Sequence, residues 1–322
     1  MKNPLPQLER LFVADAGLET DLIYNRGIDL PCFASIVLLR SQEGRGILED
    51  YFRPYLDLAR RLGLGCLLES ASWRASSDWA PRLGVTQEEL AELNRTSVEL
   101  LKNLRAGYGS PATPVVVSGC IGPRGDGYDP GKLMTAKEAE YYHGQQAAEL
   151  AAAAPDLLSA ITMNNVPEAI GIARAAEKLG LPVVIAFTVE TDGRLPTGQS
   201  LAEAISEVDD ATGEYPAYFM INCAHPTHFR GALEQGGAWM RRLGGIRANA
   251  SRCSHAELDA MTELDAGNPT ELAQLYRELR DSHPQLNVIG GCCGTDLRHV
   301  TAIAECCAST TGAIAENEAA AA

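Results

Sequence analysis

A chain of 322 residues, 46% of them hydrophobic, can bury a large core, and by length alone one barrel domain or two smaller domains would serve equally. Its 27 Lys and Arg against 42 Asp and Glu give a formal charge of -15, which argues against a nucleic-acid groove or an anionic membrane surface as partner. The opening MKNPLPQLERLFVADAG has no secretory pattern, no apolar run approaches the roughly 18 residues of a membrane span, and nine cysteines fit reduced thiols, so a cytoplasmic protein is expected.

The first apolar run, LFVADAG (11–17), reads as a buried strand. Ile47, Tyr51, Tyr55, Leu58 and Leu62 then recur at helical spacing up to a stop at Gly63. A second strand, GCLLESAS (65–72), is followed by Thr86 with Glu88 and Glu89, a helix start, and by Leu90, Leu93, Val98, Leu101 and Leu104 before a stop at Gly107. The third run, PVVVSGCIG (114–122), leads to Thr135 with Glu138 three residues on, and the fourth, DLLSAITM (156–163), to a helix stop at Gly180.

The fifth run, PVVIAFTVE (182–190), ends in polar Thr188, Glu190 and Thr191, and Gly193 and Gly198 make the following loop mobile. Glu190 is expected either to grip a substrate or to pair with Arg194 at the surface. AYFMINCA (217–224), GGIRANAS (244–251) and NVIGGCCG (287–294) complete eight strands, with Asn268-Pro269 before Glu271 marking another helix start. Eight βα units at a spacing near 40 residues predict an α/β fold, a (β/α)8 TIM barrel in a single domain; an open doubly wound sheet would not need eight. Only the tail ending AENEAAAA is low in complexity and is expected to fray or to be weakly helical.

In such a barrel the chemistry sits where strands end, and three cysteines lie there: Cys223 after the sixth run, Cys292 and Cys293 after the eighth. Adjacent strand residues point to opposite faces, so Cys292 and Cys293 can share one ion only if the backbone leaves strand geometry, which Gly290, Gly291 and Gly294 permit. Zinc accepts thiolates in a tetrahedron, and three protein ligands leave a position for a substrate thiol, whose proton it would displace. The other reading is burial as small apolar side chains, which suits Cys66, Cys120, Cys253, Cys306 and Cys307. His225 and His228 follow a proline turn and add nothing that three thiolates do not already supply.

DAGLETDL (15–22), INC (221–223) and GGCCGT (290–295) resemble, in order and spacing, signatures of the zinc-dependent homocysteine S-methyltransferases, with weaker similarity in ESASWRAS (69–76) and SGCIGPRGDGY (118–128). The resemblance covers essentially the whole barrel, so that 1–312 would form a homocysteine-binding-type barrel and 313–322 a frayed tail. It implies a zinc cofactor on Cys223, Cys292 and Cys293, methyl transfer to a thiol, homocysteine by family, and a place in methionine biosynthesis. It also implies a substrate pocket at Asp15, Gly17, Leu18 and Glu19, with Asn222 orienting the site. Asp15 also reads as a helix N-cap.

One departure stands out: where the family carries a glutamate at the end of strand four, alignment on Pro167-Glu168-Ala169 puts Ile161. Ile161 cannot accept a hydrogen bond from an ammonium, so Glu69, Glu190 or Asn164 must grip the amino acid, or the acceptor is another thiol. Trp73 could face a methylated cation or simply pack beneath a loop. No nucleotide-binding glycine fingerprint is present, which fits small donors resembling S-methylmethionine, betaine or S-adenosylmethionine. Competing readings are a demethylase of another sulfonium or amine, and a non-enzymatic zinc or redox sensor. A homo-oligomer is compatible with the sequence, and no heptad seam demands it.

Overall fold

The computed structural model describes residues 5–320, with side chains described up to Ala308. Among them eight strands run in chain order: β1 (Phe12–Ala14), β2 (Gly65–Glu69), β3 (Val115–Ile121), β4 (Leu157–Met163), β5 (Val183–Phe187), β6 (Tyr218–Asn222), β7 (Leu243–Ala248) and β8 (Val288–Gly291). All neighbours pair in parallel, and β1 pairs with both β2 and β8, Phe12 lying opposite Gly65 on one side and Val288 on the other. The sheet is therefore a closed barrel, as the eightfold alternation predicts.

The two faces of each strand are both buried, which is why the runs read as continuously apolar. Phe12, Leu67, Val116, Leu157, Val184, Tyr218 and Val288 fill the barrel interior. Their chain neighbours of opposite parity, among them Val13, Leu68, Val117, Leu158, Phe219 and Ile289, pack outward under the helices.

The covering helices are α1 (Gln42–Leu62), α2 (Gln87–Tyr108), α3 (Ala136–Ala152), α4 (Val166–Leu179), α5 (Leu201–Thr212), α6 (Pro226–Glu234), α7 (Pro269–Ser282) and α8 (Leu297–Ala320). Thr135 and Glu138 form a reciprocal capping box at α3, Thr86 accepts from the Glu89 N–H at α2, and Asn268 accepts from Thr270 and Glu271 at α7. Gly63 and Gly180 end α1 and α4 in left-handed conformations, φ 66° and 67°. Gly107 does not stop its helix: α2 continues to Tyr108, whose ring takes the Arg60 guanidinium at 5.0 Å, and the Gly109 N–H closes the last turn on the Arg105 carbonyl. The tail from 313 falls in the final turns of α8 and on residues 321–322, outside the described residues. No helix among the described residues is long and apolar enough to cross a membrane.

Candidate active site

The three cysteines meet at the C-terminal mouth of the barrel. Cys223 directly follows β6 in a left-handed backbone conformation, φ 52°, and Cys292 and Cys293 follow β8. Past Gly291 the chain turns, Thr295 donating its N–H to the Cys292 carbonyl at 3.1 Å with Gly294 at φ 77°, so the two adjacent side chains face one point.

The three sulfurs lie within 4.8 Å of one another, the one group of three potential His, Cys, Asp or Glu ligands found among the described residues. The Cys223 and Cys292 sulfurs are in contact, their Cα atoms 5.4 Å apart, and the Cys293 sulfur stands 3.8 Å from that of Cys223. Thiolates about 2.3 Å from a tetrahedral zinc are roughly 3.8 Å apart, so the reduced donor set suits zinc in chemistry and spacing. The histidines of INCAHPTHF serve elsewhere. His225 caps α6 through the Thr227 N–H, burial first and the nearby Arg252 next lowering its pKa to about 4, and His228 bonds the Arg252 carbonyl.

A shell of hydrogen bonds fixes these sulfurs. Asn222 accepts from the Thr162 N–H at 3.0 Å, donates to the Thr162 hydroxyl at 2.8 Å and reaches the Cys292 sulfur at 3.8 Å, tying β4, β6 and β8 together. Thr162, itself left-handed at φ 65°, points its hydroxyl to the Cys223 sulfur at 3.9 Å. The Tyr128 hydroxyl lies 3.5 Å from the Cys293 sulfur, and its ring stacks on His255 with centroids 3.9 Å apart. Burial pushes the Cys293 thiol pKa up, an effect the Tyr128 hydroxyl opposes.

Beside the sulfurs opens a cavity of about 310 Å³. Asp15, Gly17, Leu18, Glu19, Glu69, Trp73 and Ile161 all line it. Trp73 donates its indole N–H to the Ile161 carbonyl at 3.1 Å, and the Arg74 guanidinium lies over its ring. Three expected substrate residues stand behind the wall instead of in it. Asn222 is wholly buried against Thr162 and Cys292. Asn164 is consumed by the Asp126 carbonyl and by Asn165. The Glu190 carboxylate meets His255, whose other nitrogen bonds the Cys223 carbonyl at 2.6 Å, and its backbone N–H donates to the Arg194 carbonyl at 2.8 Å.

Asp15 is no N-cap. It holds the Arg247 guanidinium at 2.6 Å and accepts from the Tyr51 hydroxyl at 3.2 Å. Burial lifts its carboxyl above the usual range, and Arg247 and Tyr51 oppose that lift. Arg247, 6% exposed on β7, also pairs with Glu69 and donates to the Gly291 carbonyl at 3.1 Å. It lines the cavity, and sequence reasoning missed it. Its one signal was a cation at an inward position of a strand otherwise made of small and apolar residues.

Acidic Asp126, Asp259, Glu263 and Asp265 rim the opening. A mouth of this kind favours a cationic ligand. Three sulfurs able to hold zinc beside a partly apolar pocket suit the activation of a thiol and the approach of a second small molecule.

Comparison with known proteins agrees. A family model described as homocysteine S-methyltransferase matches residues 12–307. Homocysteine S-methyltransferase 4 of Zea mays is 26% identical, the match covering 91% of this chain and 88% of that protein. Homocysteine S-methyltransferase 2 of Arabidopsis thaliana is 23% identical over 94% of this chain and 95% of its own. Among solved structures, the oxidised form of the homocysteine methyltransferase MmuM from Escherichia coli superposes with a TM-score of 0.75 at 21% identity, covering 94% of this chain and 98% of that one. Its metallated form gives 0.69 at 20% identity, over 92% and 96% of the two chains, and both likenesses bear on the fold. With a match over nearly the whole barrel, the chain belongs to the homocysteine S-methyltransferase family and is a methyltransferase.

Proposed function

We propose that this protein moves a methyl group from a small, positively charged methyl donor to the thiol of homocysteine, with zinc held by Cys223, Cys292 and Cys293. The convergence of the three sulfurs on the wall of one cavity carries the reading. Zinc in that position supplies Lewis acidity, which keeps an acceptor thiol deprotonated at neutral pH.

The chain's own residues do the rest. Gly17 lets the loop after β1 approach Cys292 without a side chain between them. Asn222 and Tyr128 hold Cys292 and Cys293 in place. Leu18 and Trp73 give the cavity apolar surface, and the acidic rim suits a sulfonium or quaternary ammonium. Once both substrates are bound, the acceptor sulfur attacks the donor's methyl carbon in line. The bond from that carbon to the donor's onium atom breaks, and its electron pair stays on that atom, which becomes neutral. The thiol proton departs to solvent through the open mouth.

We read residues 1–312 as one barrel domain acting in the cytoplasm on two small molecules, with methionine as product. The test is to reduce the protein, load it with zinc, and supply homocysteine with S-methylmethionine, betaine or S-adenosylmethionine in turn. Methionine formed from at least one donor and abolished by a chelator is expected. Zinc-loaded protein that makes none from any of them would refute the assignment.

A further inference from the structure

The inner end of the cavity holds more negative charge than it neutralises. Arg247 is the one cation set between Asp15 and Glu69, and each of its nitrogens is engaged: Nε to the Gly291 carbonyl, Nη2 to Asp15 and to the Ala16 carbonyl at 3.2 Å, Nη1 to Glu69 Oε2. The second Asp15 oxygen accepts from Tyr51. That leaves Glu69 Oε1, which is buried and has no hydrogen-bond partner among the described residues. Glu69 as a whole is 5% exposed and lines the cavity.

A buried carboxylate oxygen with no protein donor is costly unless water or a ligand completes it. The neighbouring walls do not complete it: Ile161 is apolar, the Thr162 hydroxyl is turned to Cys223 and Asn222, and the Ser70 hydroxyl is taken by Ser72 and the Cys120 N–H. Glu19 only adds negative charge, one of its oxygens being taken by the Ser35 hydroxyl. Two carboxylates against one guanidinium call for one further positive charge. The bare oxygen calls for an N–H on it. A quaternary ammonium or a sulfonium supplies the charge and no such donor. A primary ammonium supplies both.

We propose that Glu69 Oε1 seats the ammonium group of the amino-acid thiol, with Arg247 fixing the carboxylate for that purpose, and that the alkylated onium head of the methyl donor is left to the acidic mouth. The inference rests on the functional reading above and adds an orientation to it: the amino group lies inside the barrel at the end of β2, and the thiol reaches across to the sulfurs after β6 and β8.

The test uses reduced, zinc-loaded full-length protein and calorimetric titration with homocysteine and with 4-mercaptobutanoate, which has the same chain without the amino group. Wild type is expected to bind homocysteine about 10- to 100-fold more tightly, the range of a hydrogen bond to a charged group. Glu69→Gln should lose that preference while binding 4-mercaptobutanoate as wild type does. Should that variant fail to fold, Glu69→Asp keeps the charge for Arg247 but withdraws the free oxygen, and is expected to lose the preference likewise. Equal affinity of wild type for both thiols, or a substituted protein with an undiminished preference, would overturn the proposal. Because binding needs no methyl donor, an ammonium preference without any methyl transfer would sink the functional reading and leave this subsite standing. Methyl transfer without the preference would do the reverse.

Discussion

Gly17 lies so close to Cys292 that a Cβ on it would come 2.5 Å from the Cys292 carbonyl oxygen. That oxygen cannot retreat, because it accepts from both the Thr295 N–H and the Thr295 hydroxyl. Gly17→Ala should therefore displace the loop after β1 or the turn bearing the cysteines, at a cost of about 1–3 kcal/mol. Thermal unfolding and zinc titration of the variant check this, and unchanged values for both would show that the contact has slack.

Each of Cys223→Ser, Cys292→Ser and Cys293→Ser is expected to abolish stoichiometric zinc binding by reduced protein. The reduced wild type should bind one zinc per chain. Metal analysis after gel filtration decides, and full zinc in any one substituted protein would remove that residue from the site.

Asn222→Ala and Tyr128→Phe leave every sulfur in the chain but remove groups that touch Cys292 and Cys293. Loss of such supports commonly costs about 10- to 100-fold in metal affinity or activity. Competition for zinc against a chromogenic chelator reads the first, and methionine formation reads the second.

Arg247→Met would leave the carboxylates of Asp15 and Glu69 buried without their cation, and should destabilise the fold by about 3–5 kcal/mol. Replacing Glu69 as well, by Met, should recover part of that loss. Denaturant unfolding of the single and double variants measures both, and a stable single variant would contradict the pairing.

Glu168 gives a pH prediction away from the sulfurs. Burial alone would raise its pKa, but the His143 ring at 2.7 Å, the Arg124 N–H and Asn165 together hold it below the ordinary 4.5. Its contribution is therefore full above about 4.5 and is lost as the pH falls through the lowered folded value. Glu168→Gln should flatten the acid limb of a melting-temperature profile below that point, and a profile parallel to wild type would count against it.

The strands, most helix starts and the three sulfurs were legible because their signals are local: apolar runs, capping residues, and cysteines at strand ends. What escaped the sequence depends on partners far apart along the chain. Arg247 meets Glu69 and Asp15 across 178 and 232 residues, and no short pattern announces such pairings. The contact of Glu190 with His255 likewise spans 65 residues. Gly107 misled for a simpler reason: glycine near the end of a helix weakens it without being obliged to stop it.

The Arg247 bridge also bears on the order in which a growing chain can become an enzyme. Asp15 and Glu69 leave the ribosome early, long before β7 delivers their counterion and β8 the last two sulfurs. Until then two carboxylates inside the barrel have no counterion and stay better hydrated than enclosed, so charge opposes sealing an unfinished barrel. A chain cut before β7 would therefore lack both the counterion of these carboxylates and two of the three sulfurs.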